Sequence, residues 1–362
     1  MDPLLRMEAI TKSFPGVLAN DRVSFEVREA EIHALLGENG AGKTTLMRIL
    51  YGMSRPDSGT ITWRGEPVEI GSSRTAIELG IGMVHQDLQL IPEFSVVENV
   101  ALGLRTANSP FLDQKSVARH LEEVSKQFGL PVEPWVRVND LSNSEQQRLE
   151  IVRALYRGAD LLVLDEPTSI LAPDERESLF SVLAGLRAEG RAVVFISHKI
   201  GEVLQLCDRV TVLRRGRVVT TVDTQDTSRE ELATLMVGRP VVLDVQRKPG
   251  QPGADVIQVE AVSVDTDDHR HAIHDVSLTV REGEILALTG VAGSGQHSLI
   301  QALFGLKRLT SGRILVLGRD ISECTPRNLV QLNVGRVPPD RETMGLVSAL
   351  TVRENLALDT YF

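Results

Sequence analysis

A glycine-rich octet, G-E-N-G-A-G-K-T at residues 37–44, constrains this chain more than any other feature. It matches the pattern G-x-x-x-x-G-K-[ST], in which the N–H groups of a loop surround phosphate oxygens and a helix starts near the lysine. Residues 31–36, E-I-H-A-L-L, form a short apolar run typical of a buried strand, and residues 45–50 continue with helical spacing. A strand, a loop and a helix in this order predict a nucleotide-binding fold, and their presence argues against a chance match.

The residue types within the octet favour a triphosphate bound together with magnesium. Glycines let the backbone curl until successive N–H groups point inward. Lys43 is expected to reach the β- and γ-phosphates, and the hydroxyl of Thr44 is expected to ligate Mg²⁺.

Bulk properties argue against several other classes of protein. A chain of 362 residues is too long for one ordinary core, which predicts two domains. The formal net charge of −10 argues against nucleic acid as a partner, because phosphodiester binding needs a basic surface. No apolar run approaches the ~20 residues of a membrane span, and residues 1–6 lack the layout of an export signal. Cys207 and Cys324 are isolated, which favours free thiols in a reducing cytosol.

The chain also repeats itself. Residues 23–29, V-S-F-E-V-R-E, return as V-S-L-T-V-R-E at 276–282, and G-V-A-G-S-G-Q-H at 290–297 keeps glycines of the octet but loses its lysine and threonine. These matches share one offset of 253 positions, which predicts two copies of one fold. Landmarks at 141–166 would recur beyond residue 362, so we expect the second copy to be partial.

A segment rich in proline and glycine separates the copies. These residues cluster at 249–253 without apolar periodicity, which is typical of a linker. We therefore expect a complete nucleotide-binding domain at 1–237, a linker at 238–255, and a partial and degenerate second domain at 256–362.

Polar side chains end three further apolar runs. The strand-like run 161–164 ends in Asp165 and Glu166, at the edge where α/β sheets bind ligands. Asp165 suits the magnesium shell and Glu166 suits polarising a water, although a solvated strand end is the alternative. His198 ends a β-branched run and is either structural or a sensor of the γ-phosphate. Gln86 follows another strand and either ligates magnesium or finishes a turn.

Two segments have both a structural and a functional interpretation. Phe14 can stack on an adenine or can belong to the core. Residues 141–150, L-S-N-S-E-Q-Q-R-L-E, begin a helix that Ser142 is expected to cap. A plain capped helix explains Ser142 and Glu145. The several polar residues before the first apolar positions also suit an anion site at the helix start.

In their order along the chain, these motifs resemble those of the ATP-binding cassette (ABC) ATPases. More closely, the chain resembles the duplicated ATPase subunits of bacterial importers for simple sugars and nucleosides. That likeness covers almost the whole chain. It rests on E-I-H-A-L-L-G-E-N-G-A-G-K (31–43), G-I-G-M-V-H-Q (80–86), G-V-A-G-S-G-Q (290–296) and V-P-P-D-R (337–341).

The resemblance implies a role for each motif residue. Glu166, His198 and Gln86 would carry catalysis. Thr44, Gln86 and Asp165 would ligate the metal. The residues implied to bind the nucleotide are Gly37, Glu38, Asn39, Gly40, Ala41, Gly42, Lys43, Thr44 and Thr45 of the phosphate loop, the adenine-stacking Phe14, and Ser142 and Ser144 of the signature at 141–145.

The resemblance also implies a fold and partners. The fold is an α/β P-loop NTPase cassette, with a mixed sheet around a central helix and a helical subdomain, followed by a partial second copy. ATP and Mg²⁺ are the implied cofactors. Each ATP would lie between one phosphate loop and an opposite signature, which implies a second ATPase chain or a homodimer. Closure would drive transmembrane permease subunits, contacted through Glu98 and residues 116–130. The chain would be peripheral, on the cytoplasmic face of the bacterial inner membrane, and a periplasmic or lipid-anchored solute-binding protein would act indirectly.

Several positions depart from the family's pattern. Ser144 replaces the second glycine of the signature, and Ala172 stands where many cassettes have aspartate. In the second copy, Gln296 and His297 replace the lysine and the hydroxyl, and Pro339 takes the place of the loop glutamine. We expect the second copy to bind nucleotide weakly and to hydrolyse it poorly. Its signature would fall beyond the last residue, so we do not expect a complete hydrolytic site in cis.

Two alternative functions stay open at this point. One is a non-transport ABC ATPase that acts on the ribosome or in DNA repair, which the short linker and the lack of a long basic insertion disfavour. The other is a fragment that binds ATP without turnover.

Overall fold

The computed structural model describes most of the chain, in two compact units at residues 1–244 and 245–362. Pro339, residues 291–293 of the second glycine motif, and Cys324 lie outside the described residues. The domain limits and the linker at 238–255 stay predictions. The described residues are 3–86, 88–104, 113–169, 171–240, 250–265, 272–290, 294–323, 325–338 and 344–358.

Strands and helices alternate through most of the first unit. Its described strands are β1 (Leu5–Phe14), β2 (Val17–Val27), β3 (Ile32–Leu36), β4 (Ser58–Trp63), β5 (Glu66–Val68), β6 (Ile81–Val84), β7 (Leu161–Asp165), β8 (Ala192–Ser197), β9 (Arg209–Arg214) and β10 (Arg217–Asp223). Its described α-helices are α1 (Lys43–Leu50), α2 (Ser73–Glu78), α3 (Val96–Ala101), α4 (Gln114–Gln127), α5 (Asn143–Tyr156), α6 (Pro173–Ala188), α7 (Ile200–Leu206) and α8 (Arg229–Val237).

The strands form two sheets. An antiparallel sheet has the order β2-β1-β4-β5. The larger sheet has the order β10-β9-β3-β8-β7-β6, in which β9, β3, β8, β7 and β6 run parallel and β10 alone is antiparallel. Every residue of β3, β7 and β8 is buried, as expected for parallel strands covered on both faces. The parallel arrangement brings the carboxyl ends of these strands to one edge.

Helix α1 lies between the two sheets. Its Leu46 and Met47 are fully buried in a cluster with Met7 of β1 on one side and with Leu35 and Val194 of the large sheet on the other. Four of its apolar side chains are completely buried, as expected for a helix that is covered by a sheet on either side. The prediction of a mixed sheet around a central helix is therefore confirmed.

Helices α3, α4 and α5 form the predicted helical subdomain. Val97 and Val100 of α3 share a core with Leu121 of α4 and with Leu149 and Val152 of α5. Burying these side chains contributes roughly 1.5–3 kcal/mol each. This layer packs on the face of the large sheet opposite α1, so α5 starts beside the sheet that holds the acid pair.

The second unit repeats the beginning of the first. The sheet order β12-β11-β13-β14 corresponds to β2-β1-β4-β5. The helix that follows the second glycine motif begins at Gln296, just as α1 begins at Lys43. The elements are β11 (Asp255–Val264), β12 (Ile273–Arg281), β13 (Ser311–Val316), β14 (Arg319–Asp320), α9 (Gln296–Leu303), α10 (Pro326–Gln331) and α11 (Val352–Leu358).

One segment of the second unit differs from its counterpart. Residues 285–289 correspond to β3 but form no strand, and Ile285 is 83% exposed whereas β3 is fully buried. In the first unit β3 pairs with β8 and β9, which lie about 160 residues further along. Among the described residues of the second unit, no strand pairs with residues 285–289.

Two predictions on bulk features can be compared with the structure. Cys207 is a buried, free thiol, and burial raises its pKa above the ordinary range, so the thiolate is disfavoured. None of the helices in the described part of the chain has the length and apolar character required to cross a bilayer.

Candidate nucleotide-binding site

The octet forms a tight loop between the buried strand β3 and helix α1. Gly42 has φ +102, a left-handed conformation, and a Cβ there would overlap the carbonyl oxygen of Ala19. A Cβ on Gly37 would overlap the carbonyl oxygen of Leu213 at the end of β9. Both glycines are therefore required for the loop to pass this close to its neighbours. Gly42 caps α1 without a side-chain acceptor, so the first N–H groups of the helix are directed to the loop's concave side.

Asn20 supports this loop from outside it. Its side chain is fully buried, and its amide Nδ2 donates to the carbonyl oxygen of Gly42 at 3.1 Å. Asn20 belongs to none of the motifs, because it lies 22 residues before Gly42. It is a positioning residue that the sequence analysis missed.

Lys43 is buried beneath the loop. Its ammonium Nζ donates to the carbonyl oxygen of Gly37 at 2.8 Å and to that of Glu38 at 3.0 Å. An ammonium has three donors, so a phosphate oxygen can accept the third. Burial lowers the pKa of Lys43, and the carboxylates of Glu166 and Asp165 act in the opposite direction. The positive charge thus lies between the loop and the acid pair.

Asp165 ends β7 next to the start of α1. It is buried, and the side chain of Thr44, in the first turn of α1, lies near enough to affect its pKa. Burial raises the pKa of Asp165 and is the largest cause, while the nearby hydroxyl of Thr44 lowers it and the charge of Glu166 raises it. A carboxylate and a hydroxyl side by side are hard oxygen donors of the kind that Mg²⁺ prefers. These two side chains therefore fit a magnesium ion.

Glu166 and His198 meet at the same edge of the sheet. The Nδ1 atom of His198 lies 3.0 Å from Oε1 of Glu166. Their strands β7 and β8 are parallel neighbours in which Asp165 pairs with Ile196. The residues that follow the two strands therefore lie side by side. Glu166 has φ +48, the left-handed region that a residue with a side chain rarely adopts. Its N–H donates to the carbonyl oxygen of Ile196 at 3.1 Å, which ties the turn to β8.

Gln86 and Phe14 lie at the ends of two other strands. Gln86 is exposed just beyond β6, at the edge where Asp165 ends β7, because β6 and β7 pair in parallel. Phe14 ends β1 and is 47% exposed, so it is available for stacking rather than part of the core. The Nζ atom of Lys12 lies 5.7 Å from the centre of its ring.

The signature segment forms the start of α5. Ser142 caps the helix: its hydroxyl accepts from the N–H of Glu145 at 3.3 Å and donates to the Glu145 carboxylate at 2.8 Å. This is a capping box, the structure expected for a plain capped helix. Hydrogen bonds from Ser142 lower the pKa of Glu145. Ser144 lies in the first turn, half-buried. A role for Ser142 and Ser144 in binding nucleotide stays a prediction.

Replacing Gly42 with alanine should disrupt the loop. The new Cβ would meet backbone atoms of Ala19 that cannot move aside, and φ +102 is strained for alanine. We expect the free energy of unfolding to fall by about 1–3 kcal/mol and ATP binding to weaken. Urea denaturation and an ATP titration would measure both. Gly16→Ala is the control, since Gly16 has φ +80 but open space around its Cβ. Equal effects of the two changes would contradict the packing explanation.

Comparison with known proteins places this site in a family. The model of a family described as "ABC transporter" matches residues 20–169 and 273–361. The guanosine import ATP-binding protein NupO of Bacillus subtilis is 42% identical over 100% of this chain and 71% of its own length. The ribose import ATP-binding protein RbsA 1 of Rubrobacter xylanophilus is 43% identical over 99% of this chain and 70% of its own length.

A solved structure agrees with these relatives. A dimeric bacterial ABC transporter cassette is 25% identical, with a TM-score of 0.54, over 62% of this chain and 100% of its own length. Fold, motif geometry, family model and relatives all agree. The chain belongs to the ABC transporter family, as an ATP-binding ATPase component.

Proposed function

We propose that this chain binds and hydrolyses ATP to energise the import of a simple sugar or a nucleoside through a separate membrane permease. One observation carries the proposal. A phosphate loop with Lys43 and Thr44 faces Asp165, Glu166 and His198, in a chain that aligns along its whole length with import ATP-binding proteins for guanosine and ribose. These relatives are the reason that a simple sugar and a nucleoside are named as the solutes.

Magnesium is the metal that the site would take. Thr44 and Asp165 would hold it, and Gln86 would contribute its amide oxygen from the same edge of the sheet. Once bound, the ion would neutralise charge on the phosphates. The position of Asp165 supports this assignment, because β7 ends at Asp165 and the side chain of Thr44, in the first turn of α1, lies near enough to affect its pKa. Lys43 would hold the phosphates against the loop.

Glu166 would position the attacking water. Its carboxylate would accept a hydrogen bond from that water and increase its nucleophilicity. The contact between Nδ1 of His198 and Oε1 of Glu166, at 3.0 Å, would fix the direction of the carboxylate. The other ring nitrogen of His198, Nε2, would then face the γ-phosphate. Both groups therefore act from the ends of adjacent parallel strands.

The proposal includes partners and a location. Transmembrane permease subunits and a second ATPase chain, or a second copy of this one, would complete the transporter. The chain would be peripheral on the cytoplasmic face of the bacterial inner membrane, and a solute-binding protein would act indirectly. The Glu98 carboxylate accepts hydrogen bonds from Ser95 in the capping box of α3. We expect the permease to contact this surface through Glu98 and residues 116–130, beside the exposed side chains of Phe94 and Leu102.

Uptake measurements test this function. A strain that lacks the gene should take up labelled ribose or guanosine, or a related sugar or nucleoside, at a reduced rate. The wild-type chain should restore uptake, and Glu166→Gln should not, because the permease would lack its energy source. Equal restoration by both chains would contradict the proposed function.

A further inference from the structure

The buried carboxylate of Glu202 lies near the edge of the large sheet at which β7 and β8 end. Glu202 belongs to none of the motifs described above. Glu202 is on the first turn of α7 and is only 4% exposed. Its Oε2 atom accepts a hydrogen bond from the hydroxyl of Thr168 at 2.7 Å and from that of Ser197 at 3.3 Å. Thr168 and Ser197 are buried as well. The Glu202 carboxylate therefore links Thr168, two residues after Glu166, to Ser197, the residue before His198.

Lys199 completes this group. Its Nζ atom lies 3.2 Å from Oε1 of Glu202 and donates to the carbonyl oxygen of Thr168 at 3.1 Å. Its backbone N–H donates to the hydroxyl of Ser197 at 3.0 Å. A buried carboxylate is stable only when charge and hydrogen bonds compensate it, and here one ammonium and two hydroxyls do so. Loss of one of these donors should therefore weaken the contacts that hold Thr168 and Ser197 to Glu202.

The same segment is held from a second side. On α5, the buried Gln147 donates from Nε2 to the carbonyl oxygen of Pro167 at 2.5 Å. Residues 167–168 are thus fixed between α5 and α7. They directly follow Glu166, whose backbone is in the left-handed region. Such a conformation persists only where the surroundings impose it.

We propose that Thr168 and Glu202 are positioning residues for Glu166. Their hydrogen bond anchors the turn after β7, which keeps Glu166 in its strained conformation and its carboxylate in contact with His198. This inference rests on the proposed function for its catalytic consequence, and on the contacts alone for its structural consequence. Neither residue touches the reacting atoms.

The test compares two replacements of Thr168 in the full chain. Thr168→Val keeps the shape and removes the hydroxyl, whereas Thr168→Ser keeps the hydroxyl. We expect hydrogen exchange in Thr168→Val to accelerate about 10-fold in peptides covering residues 165–172. We also expect kcat for ATP hydrolysis by the transporter that contains this chain to fall about 10-fold, while KM for ATP changes less than about twofold. Thr168→Ser should stay close to wild type in both measurements.

Thr211→Val is the matched control. Thr211 is equally buried, and its hydroxyl bonds Nε2 of His33 and the hydroxyl of Thr221, each at 2.8 Å. Its replacement should lower the urea midpoint without accelerating exchange at 165–172 selectively. Glu202→Gln is a second variant that keeps the side-chain size, and it should change exchange in the same direction as Thr168→Val.

Three outcomes would overturn the inference. They are wild-type exchange at 165–172 in Thr168→Val, identical behaviour of Thr168→Ser and Thr168→Val, and equal local exchange in Thr211→Val. The exchange measurement needs no turnover. It therefore decides this inference even if the uptake experiment disproves the proposed function.

Discussion

Lys43→Ala should abolish measurable ATP binding, with a loss of affinity on the order of 100-fold or more. The change removes the positive charge that would meet the phosphates. It also leaves the carbonyl oxygens of Gly37 and Glu38 without the donor that shapes the loop. Titration calorimetry with a non-hydrolysable ATP analogue and Mg²⁺ would measure the effect.

Gln296→Ala provides the matched control. Gln296 begins α9 as Lys43 begins α1, behind a glycine in the same left-handed conformation. It has no charge, and the next residue, His297, directs its Nε2 atom to Gln301 of its own helix at 2.8 Å. We expect the affinity to change less than about twofold. Weaker binding in Gln296→Ala together with full binding in Lys43→Ala would assign the nucleotide to the second unit instead.

Glu166→Gln should abolish hydrolysis while ATP binding persists. The amide is nearly the same size but is a far weaker base, so it no longer polarises the attacking water. Loss of such a group costs about 100- to 10,000-fold in rate. His198 can still bond the amide oxygen, so the loop and the sheet edge should keep their structure. Phosphate release by the transporter, beside an ATP-binding titration, would separate the two effects.

Glu231→Gln is a suitable comparison for that experiment. Glu231 lies in the first turn of α8, where its backbone N–H bonds Ser228 and its carboxylate bonds Thr227. Removing this charge should leave the hydrolysis rate at the wild-type value. A wild-type rate in Glu166→Gln as well would remove Glu166 from the proposed mechanism.

Local patterns predicted the elements that carry the site. The apolar run 31–36 corresponds to β3, and α1 begins at Lys43, because strand, loop and helix follow one another within a few residues. The neighbourhood of Glu166 and His198 was predictable for a similar reason. Both end apolar runs, and parallel strands end at one edge of the sheet.

Contacts between distant parts of the chain were not predictable. Asn20 supports Gly42, and Glu202 holds Thr168 across 34 positions, yet neither residue belongs to a periodic pattern. Residues 285–289 give the opposite example, in which a local pattern predicts an element that does not form. They are as apolar as β3 and still form no strand, so an apolar run alone does not specify a strand.

The position of β3 has a consequence for biosynthesis. Its neighbours on either side are β8 and β9, which a ribosome makes only after more than 150 further residues. Until β9 has emerged from the exit tunnel, the glycine octet has no completed sheet behind it. A nascent chain should therefore acquire its affinity for nucleotide abruptly, once residues up to 214 are available to fold.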